Sequence, residues 1–206
     1  MIYKLKAQGL FLGKKPKKGG VFINQWIDEL EKYGFEEIVL PSIEPQQVYI
    51  DKAGKEILNQ MYIFNDKGGR ELCLRPEGTA TVQLLADKHF KTQEKKFWYL
   101  TKCWRYERPQ AGRYREFWQF GVEWLNPKPN DVREQVINLA ERLMNITTLD
   151  YNLNSTAKRG LEYYTEDGFE ISIDSLGAQK QVLGGGRYKQ GIGFAFGVDR
   201  IMLALK

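Results

Sequence analysis

The chain has 206 residues, 42% of them hydrophobic and 13% aromatic, which is enough for one compact domain with a substantial core. No apolar run approaches the roughly 20 residues needed to span a bilayer, and the mean hydropathy of -0.50 reads as a soluble chain with no membrane partner. The net charge of +5 favours anionic partners without naming one. Cys73 and Cys103 lack metal-type spacing, and His89 is the lone histidine, so a Cys/His zinc site is excluded and no metal ligand is assigned. Reduced thiols and the absence of a long apolar stretch in Met1–Lys6 lead us to expect a cytoplasmic protein without a signal peptide.

In chain order, residues 1–20 read as an extended basic arm whose densest charge is Lys14, Lys15, Lys17 and Lys18. Phe22, Trp26, Ile27, Leu30 and Tyr33 recur at helical spacing over Val21–Tyr33, and Gly34 sits where a glycine ends a helix. Phe35–Leu40 reads as a strand stopped by Pro41, followed by a mixed segment to about Gln60. Met61–Phe64 and Glu71–Leu74 form a hairpin around Asp66-Lys67-Gly68-Gly69, and Gly78–His89 is helical. Phe97–Trp104 and Phe117–Trp124 are aromatic strands around an arginine-rich loop. Asn130–Met144 is a helix with Asn130 as N-cap. Leu161–Tyr164 and Gly168–Ile173 read as a strand pair, Gly184-Gly185-Gly186 as a tight turn or a close approach, Ile192–Phe196 as a strand and Val198–Leu205 as a terminal helix. This order predicts a single α+β domain with a mainly antiparallel sheet, not a doubly wound parallel one.

The chemistry concentrates in one strand-loop-strand unit carrying Arg105, Arg108, Arg113 and Arg115 with Glu107 and Glu116. Guanidinium groups stay charged at any working pH and present a planar fork of donors, which suits a polyphosphate. Alternation places Arg105 and Glu107 on one face, and Gln119, Gly121 and Glu123 on one face of the next strand. If the two faces coincide, they form a floor for a zwitterion and a nucleotide.

Five blocks in order then carry a family resemblance. Residues 103–123, Cys-Trp-Arg-Tyr-Glu-Arg-Pro-Gln-Ala-Gly-Arg-Tyr-Arg-Glu-Phe-Trp-Gln-Phe-Gly-Val-Glu, resemble motif 2 of histidyl-tRNA synthetases, within 97–125. Arg75-Pro-Glu-Gly-Thr79 resembles the block that holds the substrate amino group, and Arg159-Gly-Leu-Glu-Tyr-Tyr-Thr165 the histidine loop, 159–170. Gly193-Phe-Ala-Phe-Gly-Val-Asp-Arg200 resembles motif 3, 191–206, and Gly34–Pro41 with its preceding helix resembles motif 1, 21–45.

The resemblance implies a six- or seven-stranded antiparallel sheet flanked by helices, and activation of histidine by ATP with Mg2+. Such a reaction needs two anions held in line and the developing charge neutralised, more than acid-base chemistry. It implies that Arg105 and Arg159 are catalytic at the α-phosphate. Arg105, Glu107, Arg113, Phe117 and Arg200 would bind ATP. Glu77, Thr79 and Gln119 would take the α-ammonium, Arg159 the carboxylate, and Glu123 and Tyr164, with Tyr163 beside them, the imidazole. It further implies a homodimer through Val21–Tyr33 and the next strand, and a tRNA acceptor stem as partner.

Departures from the family pattern leave the acceptor open. The family's insertion is replaced by the short link Met144–Ser155, and these residues contain no anticodon-binding domain. Glu166-Asp167 stand where glycine is usual, Lys189 where aspartate is common and Trp118 where histidine is typical, and the segment from Tyr188 to Gly193 is short. A non-catalytic amino-acid sensor, such as a regulatory subunit of ATP phosphoribosyltransferase, and an adenylating enzyme with a non-tRNA acceptor are the alternative readings.

Overall fold

The computed structural model describes residues 19–108, 110–158 and 160–206. The basic arm expected over 1–20, apart from its last two glycines, lies outside them, and so does Arg159.

Helix α1 (Gly19–Lys32) aligns Phe22, Trp26 and Leu30 on one stripe, and all three are buried. It ends where Phe35 N–H bonds Leu30 O at 3.1 Å and Gly34 N–H bonds Glu31 O at 3.0 Å. This is a Schellman closure, which needs the positive φ of 76° that Gly34 supplies. The expected Phe35–Leu40 strand shrinks to β1 (Glu36–Glu37), with Ile38 N–H adding one bond to Trp98 O. The mixed segment resolves into β2 (Ile43–Pro45), α2 (Gln46–Ala53) and a 3-10 turn, Lys55–Gln60.

Strands β3 (Tyr62–Asn65) and β4 (Glu71–Leu74) form the expected hairpin. Asp66 Oδ1 accepts the Gly68 and Arg70 N–H groups at 2.8 and 3.0 Å, which makes the turn local. With β2 they build a three-stranded sheet in the order β2-β4-β3. Next come α3 (Thr79–His89), β5 (Lys95–Trp104), β6 (Glu116–Leu125) and α4 (Val132–Ile146). Strands β7 (Asn152–Ala157), β8 (Gly168–Ser172), β9 (Gln181–Tyr188) and β10 (Gly191–Gly197) lead to α5 (Val198–Ala204). The main sheet has seven strands in the order β1-β5-β6-β10-β9-β8-β7, antiparallel except between β1 and β5. The expected α+β class and antiparallel sheet are therefore present.

Three local expectations need correction. The position before α4 is held by Asp131, not Asn130, and no side chain caps it; Asp131 instead accepts the Gln135 side-chain amide at 2.9 Å. Leu161–Tyr164 is not a strand, and β8 pairs with β7, which begins inside the stretch read as a link and runs two residues past it. Every β7 residue but Ala157 is at least partly exposed, so an edge strand with so little apolar burial leaves no period-2 signal. Gly184–Gly186 is extended strand and not a turn; close approach is what its glycines serve.

Alternation divides the sheet between two cores. Trp98, Phe120, Val122, Trp124, Ile192, Phe194 and Phe196 face α1, α4 and α5. Trp26 stacks on Phe196 with centroids 4.4 Å apart and donates its indole N–H to Leu143 O of α4. Phe97, Tyr99, Leu125 and Tyr188 face the opposite way, toward Tyr49, Ala80, Val82 and Ala86 of α2 and α3. The second face is where polar residues collect.

Candidate active site

A cleft of about 420 Å³ opens on that second face. Its floor follows from strand register. Gln119 pairs with Gly197, Gly121 with Ala195, and Glu123 with Gly193; Ala195 and Gly193 pair in turn with Gly184 and Gly186. Phe120, Val122 and Trp124 point into the opposite core, so Gln119, Gly121 and Glu123 do share a face. A Cβ on Gly121 would meet Tyr99 Cζ at 2.0 Å, one on Gly193 would meet Glu123 Oε2 at 2.0 Å, and one on Gly186 would meet the Tyr164 ring at 2.7 Å. The glycines let these side chains lie against the sheet.

One end of the cleft is rich in acceptors. Glu77, just before α3, takes the Thr79 and Ala80 N–H groups on its two oxygens at 2.6 and 2.9 Å, a carboxylate at a helix N-terminus. Burial pushes its pKa up, opposed by these bonds and by the Arg105 charge. Thr79 spends its hydroxyl proton on Glu123 Oε1 at 2.6 Å, so the Thr79 oxygen can only accept from a ligand. Gln119 Oε1 accepts the Gly78 N–H at 3.0 Å and the Cys103 thiol at 3.3 Å. Both donors converge on the amide oxygen, which turns its N–H groups the other way.

Glu123 is fully buried and lies beneath the cleft lining. Its second oxygen accepts the Tyr188 hydroxyl at 2.8 Å, and burial raises its pKa to about 8 against the opposing pull of both hydrogen bonds. Leu161, Tyr163 and Tyr164 line the cleft wall. Tyr163 packs 4.6 Å from Tyr164, centroid to centroid, and Tyr164 forms a backbone bridge with Tyr188. These residues follow directly on Arg159, which is outside the described residues.

The other end is cationic. Strand β5 stops at Trp104, so Arg105 and Glu107 are placed by the loop and not by strand alternation: Glu107 N–H turns back to Arg105 O at 2.9 Å. Arg105 donates through Nε to Pro76 O at 2.8 Å and lies 5.4 Å from the Phe117 ring centroid. Arg113 pairs with Glu107 at 2.6 Å across a turn made by Gly112 at φ +73°. Arg200 of α5 donates to Gly112 O at 2.7 Å, to Gln181 O and to Gln179 Oε1. Burial, then the Arg105 and Arg113 charges, lower its pKa. The three guanidinium groups therefore share one end of the cleft, close enough for the charges of Arg105 and Arg113 to act on Arg200.

Several contributors were not singled out from sequence. Asp199 lines the cleft and accepts the Trp118 N–H at 2.6 Å; burial raises its pKa. Tyr188 and Cys103 act on Glu123 and Gln119. The face alternation of β9 and β5 was the available signal for both. Arg75, the first residue of its block, is almost fully buried and bonds Pro41 O, Thr101 Oγ1 and Lys102 O, which fixes the segment leading to Glu77. Among the described residues no three His, Cys, Asp or Glu side chains cluster as a metal site.

A largely antiparallel seven-stranded sheet with its cleft on one face, Glu123 and Gln119 on the strands and Arg105, Arg113 and Arg200 brought in by a loop and α5, has the fold of the catalytic core of a class II aminoacyl-tRNA synthetase. The family model for histidyl-tRNA synthetase matches residues 17–150, and the chain belongs to that family. The histidine--tRNA ligase of Methanocaldococcus jannaschii is 40% identical over 186 residues, covering 89% of this chain and 40% of its own length. That of Archaeoglobus fulgidus is 29% identical over 278 residues, covering 83% and 68%. An alignment longer than this whole chain means that the relative carries an internal block without counterpart here. The chain spans about two fifths of the M. jannaschii protein and about two thirds of the A. fulgidus one. The apo histidyl-tRNA synthetase of S. aureus superposes at TM-score 0.76 with 27% identity, over all of this chain and 70% of its own. An ATP phosphoribosyltransferase regulatory subunit/histidyl-tRNA synthetase from Bacillus halodurans C superposes at 0.80 with 17% identity, over all of this chain and 83% of its own, a likeness of fold alone.

Proposed function

We propose that this chain joins the histidine carboxylate to the α-phosphate of ATP, forming histidyl-adenylate and releasing pyrophosphate. The carrying observation is the polarity of a single cleft, with acceptors at Glu77 and Thr79 and converging cations at Arg105, Arg113 and Arg200. A carboxylate oxygen attacks the α-phosphorus and the bond to the bridging oxygen breaks, so the β- and γ-phosphates leave with their charge. Fixed guanidinium groups neutralise that charge without reorganising.

Glu77 and Thr79 present only acceptors and suit the α-ammonium. Gln119 presents donors, because Gly78 and Cys103 occupy its oxygen, so it suits the carboxylate and not the ammonium first expected of it. Arg105 and Arg159 are the proposed α-phosphate ligands. Arg113, oriented by its pair with Glu107, and Arg200 take the outer phosphates, and Phe117 packs the base. Glu123, Tyr163 and Tyr164 form the imidazole end: a neutral imidazole offers one donor and one acceptor, which a carboxylate and a phenol can read together. A site left with unpaired polar atoms by an apolar amino acid rejects it. Mg2+ held mainly by phosphates needs only one or two protein carboxylates; Glu107 and Asp199, both in the cleft, would hold it, and the ion would supply charge neutralisation there.

Transfer to the acceptor stem of a tRNA is the proposed second step. Its support is the exposed, basic motif 2 loop, where Arg115 sits 4.2 Å over the Tyr106 ring and Tyr106 is 58% exposed. A homodimer is also proposed, supported by the apolar residues that the motif 1 segment leaves exposed, Val39 at 87%, Ile43 at 53%, Val21 at 55% and Tyr33 at 41%.

ATP–pyrophosphate exchange with each of the twenty amino acids tests the reading. Exchange with histidine alone is expected. No exchange with any of them, together with tight histidine binding, would replace catalysis by amino-acid sensing.

A further inference from the structure

We propose that Tyr188 is a positioning residue that sets the spacing between Glu123 and Tyr164, and through it the preference for an imidazole side chain. The inference rests on the functional reading above.

Tyr188 ends β9 and is buried. Its hydroxyl donates to Glu123 Oε2 at 2.8 Å, while its backbone bridges to Tyr164. One residue is thus joined to both groups assigned to the substrate side chain. Its ring also meets Tyr163, which lines the cleft, edge-on at 6.3 Å. Thr79 donates to the other carboxylate oxygen at 2.6 Å. Two donors on separate oxygens fix the carboxylate plane and leave its remaining lone pairs in defined directions. Gly193 and Gly186 leave the room this requires, since a Cβ on either would strike Glu123 or Tyr164.

The titration of Glu123 supplies an independent readout. The groups around it are Glu77 and Thr79 at the start of α3, Tyr99 on β5 and Tyr188 on β9. Burial and Glu77 disfavour the ionised form, while the Thr79, Tyr188 and Tyr99 hydroxyls favour it. Removing the Tyr188 hydroxyl must therefore move the Glu123 titration to higher pH.

Tyr188→Phe deletes the hydroxyl and keeps the ring and the backbone bridge. Carbon-13 NMR of labelled glutamate should show Glu123 titrating at higher pH in the variant. Calorimetry at pH 7.5 should show histidine bound about tenfold more weakly, with ATP affinity and melting temperature close to wild type. Unchanged histidine affinity overturns the proposal. So does a loss shared equally by ATP affinity and thermal stability, which would make Tyr188 a general packing residue. A wild-type chain that binds ATP but no histidine overturns the functional reading, and this role with it, whatever the NMR titration shows.

Discussion

Thr79 and Glu123 lie 44 residues apart, on the first turn of α3 and near the end of β6, and the Thr79 hydroxyl donates to Glu123 Oε1 at 2.6 Å. The bond ties the two proposed ends of the amino-acid pocket together. Thr79 faces the ammonium as an acceptor only because its proton is committed to Glu123. Thr79→Val should therefore weaken histidine binding about tenfold or more, through an unpaired ammonium and a Glu123 that has lost a donor. Calorimetry with histidine checks this, and unaltered affinity would remove Thr79 from the site.

A pH dependence follows from Glu123. Its folded pKa is about 8 against an ordinary 4.5, so between those values the folded chain holds a proton that the unfolded chain releases. Stability from this group is fully present below pH 4.5 and is lost as pH rises toward 8. The slope is at most about 1.4 kcal/mol per pH unit. Glu123→Gln should gain on wild type steadily across that window in urea denaturation at pH 5, 6.5 and 8. Parallel stability profiles would mean that Glu123 titrates normally.

Gly193→Ala should be among the most damaging small substitutions. The added carbon would lie 2.0 Å from Glu123 Oε2 and 2.5 Å from Val122 O, and the backbone oxygen cannot step aside. We expect a loss of about 1–3 kcal/mol with histidine binding abolished. A variant that melts and binds like wild type would show that the sheet yields more readily than its register suggests.

Triphosphate binding should relieve the repulsion among the clustered arginines. ATP with Mg2+ should raise the melting temperature, and Arg113→Ala should remove most of that gain. The ligand-free variant should melt within a few degrees of wild type, because Arg113 is 38% exposed in its pair with Glu107 and such pairs contribute little. Equal stabilisation of both proteins by ATP would exclude Arg113 from the phosphate site.

Two charged residues should differ sharply in how much their loss costs in denaturation. Glu166, which departs from the family pattern, pairs with Arg133 at 3.4 Å and Arg187 at 3.3 Å but is 43% exposed. Glu166→Ala should cost less than about 1 kcal/mol. Arg75→Met would leave Pro41 O, Thr101 Oγ1 and Lys102 O without their donor and should cost about 3 kcal/mol or more.

Helices α1, α3, α4 and α5, the β3–β4 hairpin and the long strands β5, β6 and β10 were legible in the sequence, because each carries a local period or turn that needs no distant partner. The common face of Gln119, Gly121 and Glu123 was legible for the same reason. Strand β7 was not, since a polar edge strand is defined by its neighbour. Nor was the position of Arg105 and Glu107, because a loop and not strand alternation carries them.

The sequence by itself determined the class of fold, the family and the residue types gathered for the chemistry, because these reside in periodicity and contiguous motifs. Only the tertiary structure decided which atom of each polar group faces the cleft. Gly78 and Cys103 orient the Gln119 amide, Thr79 and Tyr188 hold Glu123, and Arg105, Arg113 and Arg200 gather around one volume. Hydrogen-bond direction depends on partners far apart in the chain, and no local pattern records it.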